Sequence, residues 1–190
     1  IIIEPVQGEG GIRPASQVFL KSLRELCDEN GLLLMFDEVQ CGVGRSGTLF
    51  AHEHYAVEPD VMAIAKGLGG GFPVGACLAN EAVSTSMKFG SHGSTFGGNP
   101  LAMAVADAVL DLVLEPSLLK DVNSKAGFLI SELEALTIKY PQSISSVHGL
   151  GLMLGVKCVG ENTKLLLKLR EHGLLVGKSG DNMIRLLPPL

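Results

Sequence analysis

The chain has 190 residues and 46% of them are hydrophobic, which is ample for a buried core of one domain or one and a half. Only 18% are charged, the net charge is -5 and no basic block occurs, so we expect neither nucleic acid nor a membrane as a partner. Four scattered cysteines without a Cys-x-x-Cys pair predict reduced thiols in a cytoplasmic protein. The His52-x-His54 pair lacks nearby acidic ligands, so we expect no metal site.

The first third of the chain alternates apolar strands with a helix. Ile1 opens an apolar run that predicts a buried strand, and residues 14–30 have the helical spacing of apolar side chains, with Gly31 as a stop. Residues 32–36 and 61–65 are apolar throughout, which is typical of strands covered on both faces. This order predicts an α/β fold with a mainly parallel sheet, helices on both faces, and ligands beyond the carboxyl ends of the strands.

Three polar residues lie at such strand ends: Glu4, Asp37 and Lys66. An acid and an amine at successive strand ends suggest pyridoxal phosphate chemistry, because that cofactor needs a lysine for its aldehyde and a carboxylate for its ring nitrogen. A carboxylate after an apolar strand also occurs in nucleotide-binding folds, and a strand-end lysine is often a surface group. The pair alone therefore leaves a nucleotide-binding or non-catalytic protein open.

A glycine-rich loop precedes the next predicted helix. Residues 90–98 contain Ser94 and Thr95, and Asn99 is a starting signal for a helix over residues 100–114. Unpaired amides at a helix start favour an anion, and the two hydroxyls can add hydrogen bonds. The loop is thus a candidate phosphate site, with a flexible loop before a capped helix as the alternative.

The order of predicted helices and strands in the last third of the chain predicts a smaller α+β domain from about residue 118. This boundary divides the chain into residues 1–117 and 118–190. Within it, Arg185 lies among apolar residues, where an unpaired guanidinium would be costly to bury. Its partner is either a structural carboxylate or the carboxylate of a substrate. The predicted elements are a helix over 121–140, a strand over 149–158, a helix over 162–172, an extended segment over 174–177 and a strand over 183–187.

Six motifs are spread along the whole chain: EPVQGEGG from Glu4, LLMFDEVQCGVGRSG from Leu33, AIAKGLGGGFPVGA from Ala63, GSHGSTFGGNPLA from Gly90, GLGLMLG from Gly149 and GDNMIRLLPPL from Gly180. In this order they resemble the class III, or ω-amino-acid, aminotransferases of fold type I. The resemblance implies a large domain that binds pyridoxal 5′-phosphate and a smaller α+β carboxyl-terminal domain.

The resemblance also implies roles for the residues of the cofactor site. Lys66 would bind the cofactor aldehyde and later move a proton between substrate and cofactor. Asp37 would pair with the ring nitrogen, Val39 would pack on the ring and Gln40 would bond its phenolic oxygen. Glu38, within the same motif, is included among the cofactor-binding residues.

Further roles concern the substrate and a second subunit. Thr95 would reach the cofactor phosphate of a neighbouring subunit and Ser94 would lie beside the substrate, so a homodimer with a shared active site is expected. Arg185 would bind the α-carboxylate of glutamate or 2-oxoglutarate. Glu4 would pair with Arg185 when a substrate presents an amine instead.

Within the family, the sequence most resembles members that move the δ-amino group of N-acetylornithine to 2-oxoglutarate in arginine biosynthesis. Transamination of ornithine, succinylornithine, 4-aminobutyrate or a diamine, and isomerase or decarboxylase action on the same fold, remain alternatives. The chain starts at Ile1 without a methionine, so we expect a fragment that lacks the amino-terminal part and the extreme carboxyl terminus and is inactive alone.

Overall fold

The computed structural model describes residues 1–190 and contains two main sheets with five α-helices. None of these helices is both long and apolar enough to cross a membrane. The first part of the chain contains β1 (Ile2–Ile3), β2 (Val6–Gln7), β3 (Arg13–Pro14), α1 (Gln17–Asn30), β4 (Met35–Asp37), a 3₁₀ helix (Ala51–Tyr55), β5 (Val61–Ile64), a second 3₁₀ helix (Lys66–Gly69), β6 (Ala76–Ala79), α2 (Glu81–Ser84) and α3 (Pro100–Val113). The second part contains α4 (Pro116–Lys139), β7 (Ile144–Leu150), β8 (Met153–Cys158), α5 (Asn162–Glu171), β9 (Gly177–Ser179) and β10 (Met183–Leu186).

The first sheet has the strand order β1-β4-β5-β6. Its first three strands are parallel and β6 runs antiparallel to β5. Side chains of β4 and β5, including Phe36 and Ile64, form one apolar cluster with Leu20 of α1 and Ala106 of α3. The predicted α/β fold with a mostly parallel sheet is confirmed, and the antiparallel strand is an addition that the sequence pattern did not show.

Helix α1 has capping chemistry at both ends. The Ser16 side chain accepts a hydrogen bond from the Phe19 amide at 3.2 Å, and Gly31 ends the helix in the left-handed conformation with φ of 62°. The predicted end at Gly31 is confirmed. The predicted start at Pro14 is wrong, because Pro14 belongs to β3 and pairs with Val6.

Both edges of the first sheet are exposed in this chain. Ile1 and Ile2 are 44% and 66% exposed, so the predicted burial of the opening strand is wrong. All four residues of β6, on the opposite edge, are exposed as well. Strand edges of this kind present unpaired backbone groups and are normally covered by other parts of a protein.

The second sheet is antiparallel, with the strand order β7-β8-β10-β9. The single strand predicted over 149–158 is wrong: Gly151, with φ of 58°, lies in a turn that joins β7 to β8 in a hairpin. Helix α4 starts at Pro116, five residues before the predicted start, and the proposed domain boundary between residues 117 and 118 lies in its first turn.

The two sheets are joined by an apolar cluster and a partly buried arginine. Val6, Ile12 and Cys41 from the first part pack with Met153 of β8. The Arg45 guanidinium donates hydrogen bonds to the carbonyl oxygens of Leu152 at 3.1 Å and Pro188 at 2.5 Å, and burial lowers the pKa of Arg45. Candidate site residues, described next, lie near this junction.

Candidate active site

The parallel register brings three predicted site residues to one edge of the first sheet. Ile3 of β1 lies opposite Phe36 of β4, so Glu4 and Asp37 follow at the same level. Asp37 in turn lies opposite Ala63 of β5, three residues before Lys66. The predicted meeting of Glu4, Asp37 and Lys66 at the carboxyl ends of neighbouring strands therefore agrees with the strand order.

Asp37 presents a carboxylate with one free oxygen. Its Oδ1 atom accepts a hydrogen bond from the Val39 amide at 3.0 Å, which fixes the orientation of the side chain. Oδ2 has no partner within this chain, and the residue is only partly buried. A carboxylate held in this way can accept a hydrogen bond from a protonated ring nitrogen.

Lys66 lies two residues after the end of β5 and is the first residue of a 3₁₀ helix. Its φ of 43° is in the left-handed region, which costs a non-glycine residue on the order of 1–3 kcal/mol. The side chain is exposed, and the lysine ion pairs of this chain involve other residues. The Lys66 amine is therefore free to react.

Gln40 lies between the sheet edge and the second sheet. Its Oε1 atom accepts a hydrogen bond from Arg185 Nη1 at 3.1 Å, and its Nε2 atom remains free as a donor. Gly8 packs against this amide: a Cβ atom at Gly8 would lie 2.1 Å from Gln40 Nε2. A larger residue at this position would therefore displace the Gln40 side chain.

Arg185 forms its ion pair with Glu9, which corrects the predicted pairing with Glu4. The Glu4 carboxylate instead accepts a hydrogen bond from the Gly8 amide at 2.8 Å. Sequence reasoning missed Glu9, although the residue stands in the same EPVQGEGG motif, because the family resemblance implied this role for Glu4. The turn places Glu9 beside the second sheet, which carries Arg185.

Glu38 is completely buried, and its carboxylate stabilises the 3₁₀ helix at Ala51–Tyr55. It accepts hydrogen bonds from the amides of Ala51 at 2.5 Å and His52 at 2.8 Å, and its Oε1 atom lies 3.1 Å from His52 Nδ1. Because both oxygens are engaged inside the protein, this side chain is not available to a cofactor. The prediction of a cofactor contact by Glu38 therefore does not fit the structure.

The predicted phosphate loop lies on the surface of this chain. Ser94 and Thr95 are exposed, and the Ser94 hydroxyl accepts a hydrogen bond from the Gly97 amide at 3.0 Å. No hydrogen bond or ion pair joins this loop to the edge that carries Asp37 and Lys66. The start of α3 agrees with the prediction, since the Asn99 side chain caps the helix.

A cavity of about 950 Å³ opens on one side of Lys66. Its walls include Val43, Val109 and Leu112, whereas Asp37 is not among the lining residues. In this chain the cavity therefore borders Lys66 but not Asp37.

Comparison with known proteins identifies the family of this chain. The sequence model of the family described as "Aminotransferase class-III" matches residues 1–190. The chain belongs to the class III aminotransferases. Membership of this family implies pyridoxal 5′-phosphate as the cofactor. The free Lys66 amine and the open Asp37 oxygen are the donor set that this cofactor needs.

Several named class III aminotransferases are similar to this one. The chain is 59% identical to the acetylornithine aminotransferase of Mesorhizobium japonicum over 190 residues, which are all of this chain and 48% of that protein. The acetylornithine aminotransferase structure of Elizabethkingia anophelis has a TM-score of 0.89 at 41% identity, over 99% of this chain and 48% of that one. The ornithine aminotransferase structure of Toxoplasma gondii ME49 has a TM-score of 0.92 at 33% identity, over 99% of this chain and 46% of that one. The chain thus spans about half the length of the relatives it matches.

Proposed function

We propose that the whole protein transfers the δ-amino group of N-acetylornithine to 2-oxoglutarate, giving N-acetylglutamate semialdehyde and glutamate. The observation that carries the proposal is the free Lys66 amine and the open Asp37 carboxylate at one sheet edge. Sequence identity of 59% to a protein named acetylornithine aminotransferase supports the choice of donor. When bound, pyridoxal 5′-phosphate supplies an aldehyde that takes up the amino group and a ring that accepts electrons.

Each residue at the sheet edge has a separate task in this proposal. Lys66 would hold the aldehyde and, as a free amine, would carry the proton that leaves the substrate carbon. Asp37 would keep the ring nitrogen protonated through its free Oδ2 atom. Val39 would pack on the ring, and the free Nε2 atom of Gln40 would donate to the phenolic oxygen.

The Arg185–Glu9 pair would allow one site to accept two unlike substrates. When 2-oxoglutarate or glutamate binds, its carboxylate replaces Glu9 as the partner of Arg185. When the amine end of N-acetylornithine enters, Glu9 stays on Arg185 and neutralises it. Exchange of one carboxylate for another keeps the guanidinium paired, whereas a bare charge would be costly.

A second copy of the chain would complete the site. Ser94 and Thr95 are exposed, and the neighbouring Phe89 and Phe96 rings are 110% and 81% exposed, so this loop has an apolar surface available to another subunit. We propose that Thr95 binds the cofactor phosphate of the partner and that Ser94 lies near the substrate of the partner.

Covalent trapping tests the cofactor assignment without measuring activity. The full-length protein is incubated with pyridoxal 5′-phosphate, reduced with borohydride and mapped by peptide mass spectrometry. We expect one reduced adduct, on Lys66, which is lost in Lys66→Ala and kept in Lys120→Ala. No adduct, or an adduct on another lysine, would reject the assignment.

The amino donor is tested by comparing rates. Initial rates with N-acetylornithine, ornithine, succinylornithine and 4-aminobutyrate are measured against 2-oxoglutarate, and the highest kcat/KM is expected for N-acetylornithine. Ornithine is the second candidate, because an ornithine aminotransferase structure has a TM-score of 0.92 with this chain. A higher kcat/KM with ornithine would favour that activity.

A further inference from the structure

Ser179 connects the second sheet to the loop that carries Glu9. This residue of β9 is only 8% exposed, and its hydroxyl donates a hydrogen bond to the Gly8 carbonyl oxygen at 2.6 Å. The Glu9 carbonyl oxygen, at 3.3 Å, is a second acceptor for the same hydroxyl. The Gly180 amide donates to the Glu9 carbonyl oxygen at 2.8 Å. We call these contacts the Ser179 clamp.

The clamp and the substrate arginine lie on neighbouring strands. In the antiparallel pair of β9 and β10, Ser179 is opposite Met183 and Gly177 is opposite Arg185. Both partners of the Arg185–Glu9 ion pair are therefore attached to the second sheet. Arg185 belongs to strand β10 itself, and the loop of Glu9 is bound to β9 through the clamp. A change in the clamp moves Glu9 relative to Arg185 without touching either charge.

We propose that Ser179 is a positioning residue that holds Glu9 against Arg185 and thereby determines how the site divides its affinity between amine-ended and carboxylate-ended substrates. The inference rests on the proposed transamination, and it names a further residue that affects the preference between the two substrates. The Ser179 hydroxyl is the nearest donor to the Gly8 carbonyl oxygen, because the Gly11 and Ile12 amides lie at 3.4 and 3.5 Å from it. A buried hydroxyl that donates to a loop carbonyl fixes the loop, because the hydroxyl would lose its acceptor if the loop moved away.

The surrounding contacts keep the junction folded when the hydroxyl is removed. The Arg13 guanidinium and the Asp181 carboxylate form an ion pair of 2.8 Å beside the clamp, and the Gly180 amide still binds Glu9. The backbones of Gly180 and Glu9 are also closely packed, since a Cβ atom at Gly180 would lie 2.8 Å from the Glu9 carbonyl oxygen. Loss of the hydroxyl should therefore loosen Glu9 rather than unfold the chain.

The first test compares the two half-reactions of full-length Ser179→Ala in single turnovers, one with N-acetylornithine and one with glutamate. Because a loosened Glu9 competes less well for Arg185, the kcat/KM for glutamate should rise relative to that for N-acetylornithine by about 3- to 10-fold, the range of one lost neutral hydrogen bond. Ser46→Ala is the matched control: Ser46 is 1% exposed, and its hydroxyl contacts only Thr48 Oγ1, at 3.4 Å.

The second test asks whether the effect passes through Glu9. Ser179→Ala is combined with Glu9→Ala, and we expect no further change in the ratio, since Glu9 is then absent. Ser179→Cys, which fills the same space with a weak donor, should shift the ratio in the same direction and provides the measurement if the alanine variant is unstable. Ser179→Thr keeps the hydroxyl and should restore the ratio.

Three results separate the outcomes. Equal changes in both half-reactions would overturn the role of Ser179, as would a shift that persists in the Glu9→Ala background. In either case amino transfer by the parent protein would leave the proposed function intact. A parent protein that shows no amino transfer with any donor would reject the proposed function itself.

Discussion

Arg185 and Glu9 form an ion pair although they lie 176 positions apart in the sequence. The Glu9 carboxylate is 77% exposed and the Arg185 side chain 20% exposed, so the pair can open towards solvent. We expect Glu9→Ala to lower the KM for 2-oxoglutarate about two- to fivefold, the range of a weak, exposed ion pair. Steady-state kinetics check this value, and Glu4→Ala, which does not touch Arg185, serves as the comparison. A raised KM would contradict competition between Glu9 and the keto acid.

Replacement of Arg185 should have the opposite effect. Arg185→Lys keeps the charge but loses the planar fork that binds a carboxylate at two points. We expect the KM for 2-oxoglutarate to rise about 10- to 100-fold, because a hydrogen bond to a charged group contributes about 1.5–3 kcal/mol to binding. The KM for N-acetylornithine should rise far less. Arg170→Lys on the exposed face of α5 is the control. A similar loss for both substrates would argue against a carboxylate site at Arg185.

Local sequence chemistry predicted part of this structure well. The glycine that ends α1 and the asparagine that starts α3 act within one helical turn, so a few neighbouring residues decide them. The order of apolar strands likewise predicted the sheet edge that carries Asp37 and Lys66, because parallel strands place their ends together.

Contacts between distant segments were not predictable in the same way. Nothing near Glu9 in the sequence shows that Arg185 will lie beside it, and Glu4 in the same motif looked equally suitable. The hairpin of β7 and β8 was missed because the apolar residues over 149–158 have the pattern of one continuous strand, although Gly151 lies in a turn. Glu38, next to Asp37, was assigned to the cofactor because sequence does not show which side of a turn is buried.

Glu38 should matter for stability more than for chemistry. Its removal would leave the amides of Ala51 and His52 without partners inside the protein. We expect Glu38→Ala to lower the free energy of unfolding by about 3–5 kcal/mol, the cost of breaking a buried charged network. Urea unfolding measures the change. Glu53→Ala is the control: Glu53 is exposed and caps one amide, that of Phe50, at 2.7 Å. An equal loss in both variants would show that burial of Glu38 adds nothing.

The thiol of Cys41 should be unreactive in the folded protein. Burial, followed by the charge of Glu38, raises its pKa to about 12, and the side chain is 1% exposed. We expect no modification of Cys41 by a maleimide at pH 8 under native conditions and full modification after unfolding in urea, with peptide mass spectrometry as the readout. Labelling of native Cys41 at the rate of a free thiol would show that the segment after β4 opens readily.

Asp60 gives the fold a defined sensitivity to acid. Burial acts to raise its pKa, but hydrogen bonds from the Leu34 amide at 2.8 Å and from Arg24 at 2.9 Å outweigh it, so the pKa of Asp60 is below its ordinary value of 3.8. A carboxyl with a depressed folded-state pKa stabilises the protein fully above its unfolded-state pKa. This contribution is lost as the pH falls through the folded-state value.

Asp60→Asn should therefore destabilise the protein at pH 7 and lose less stability than the parent between pH 5 and pH 3. The free energy of unfolding is measured by urea titration at several pH values across this window. Asp111→Asn, on the exposed face of α3, is the control and should follow the parent curve. If Asp60→Asn and the parent lose stability in parallel on acidification, the ion pair with Arg24 does not carry the acid response, because removal of its titrating group must flatten the curve.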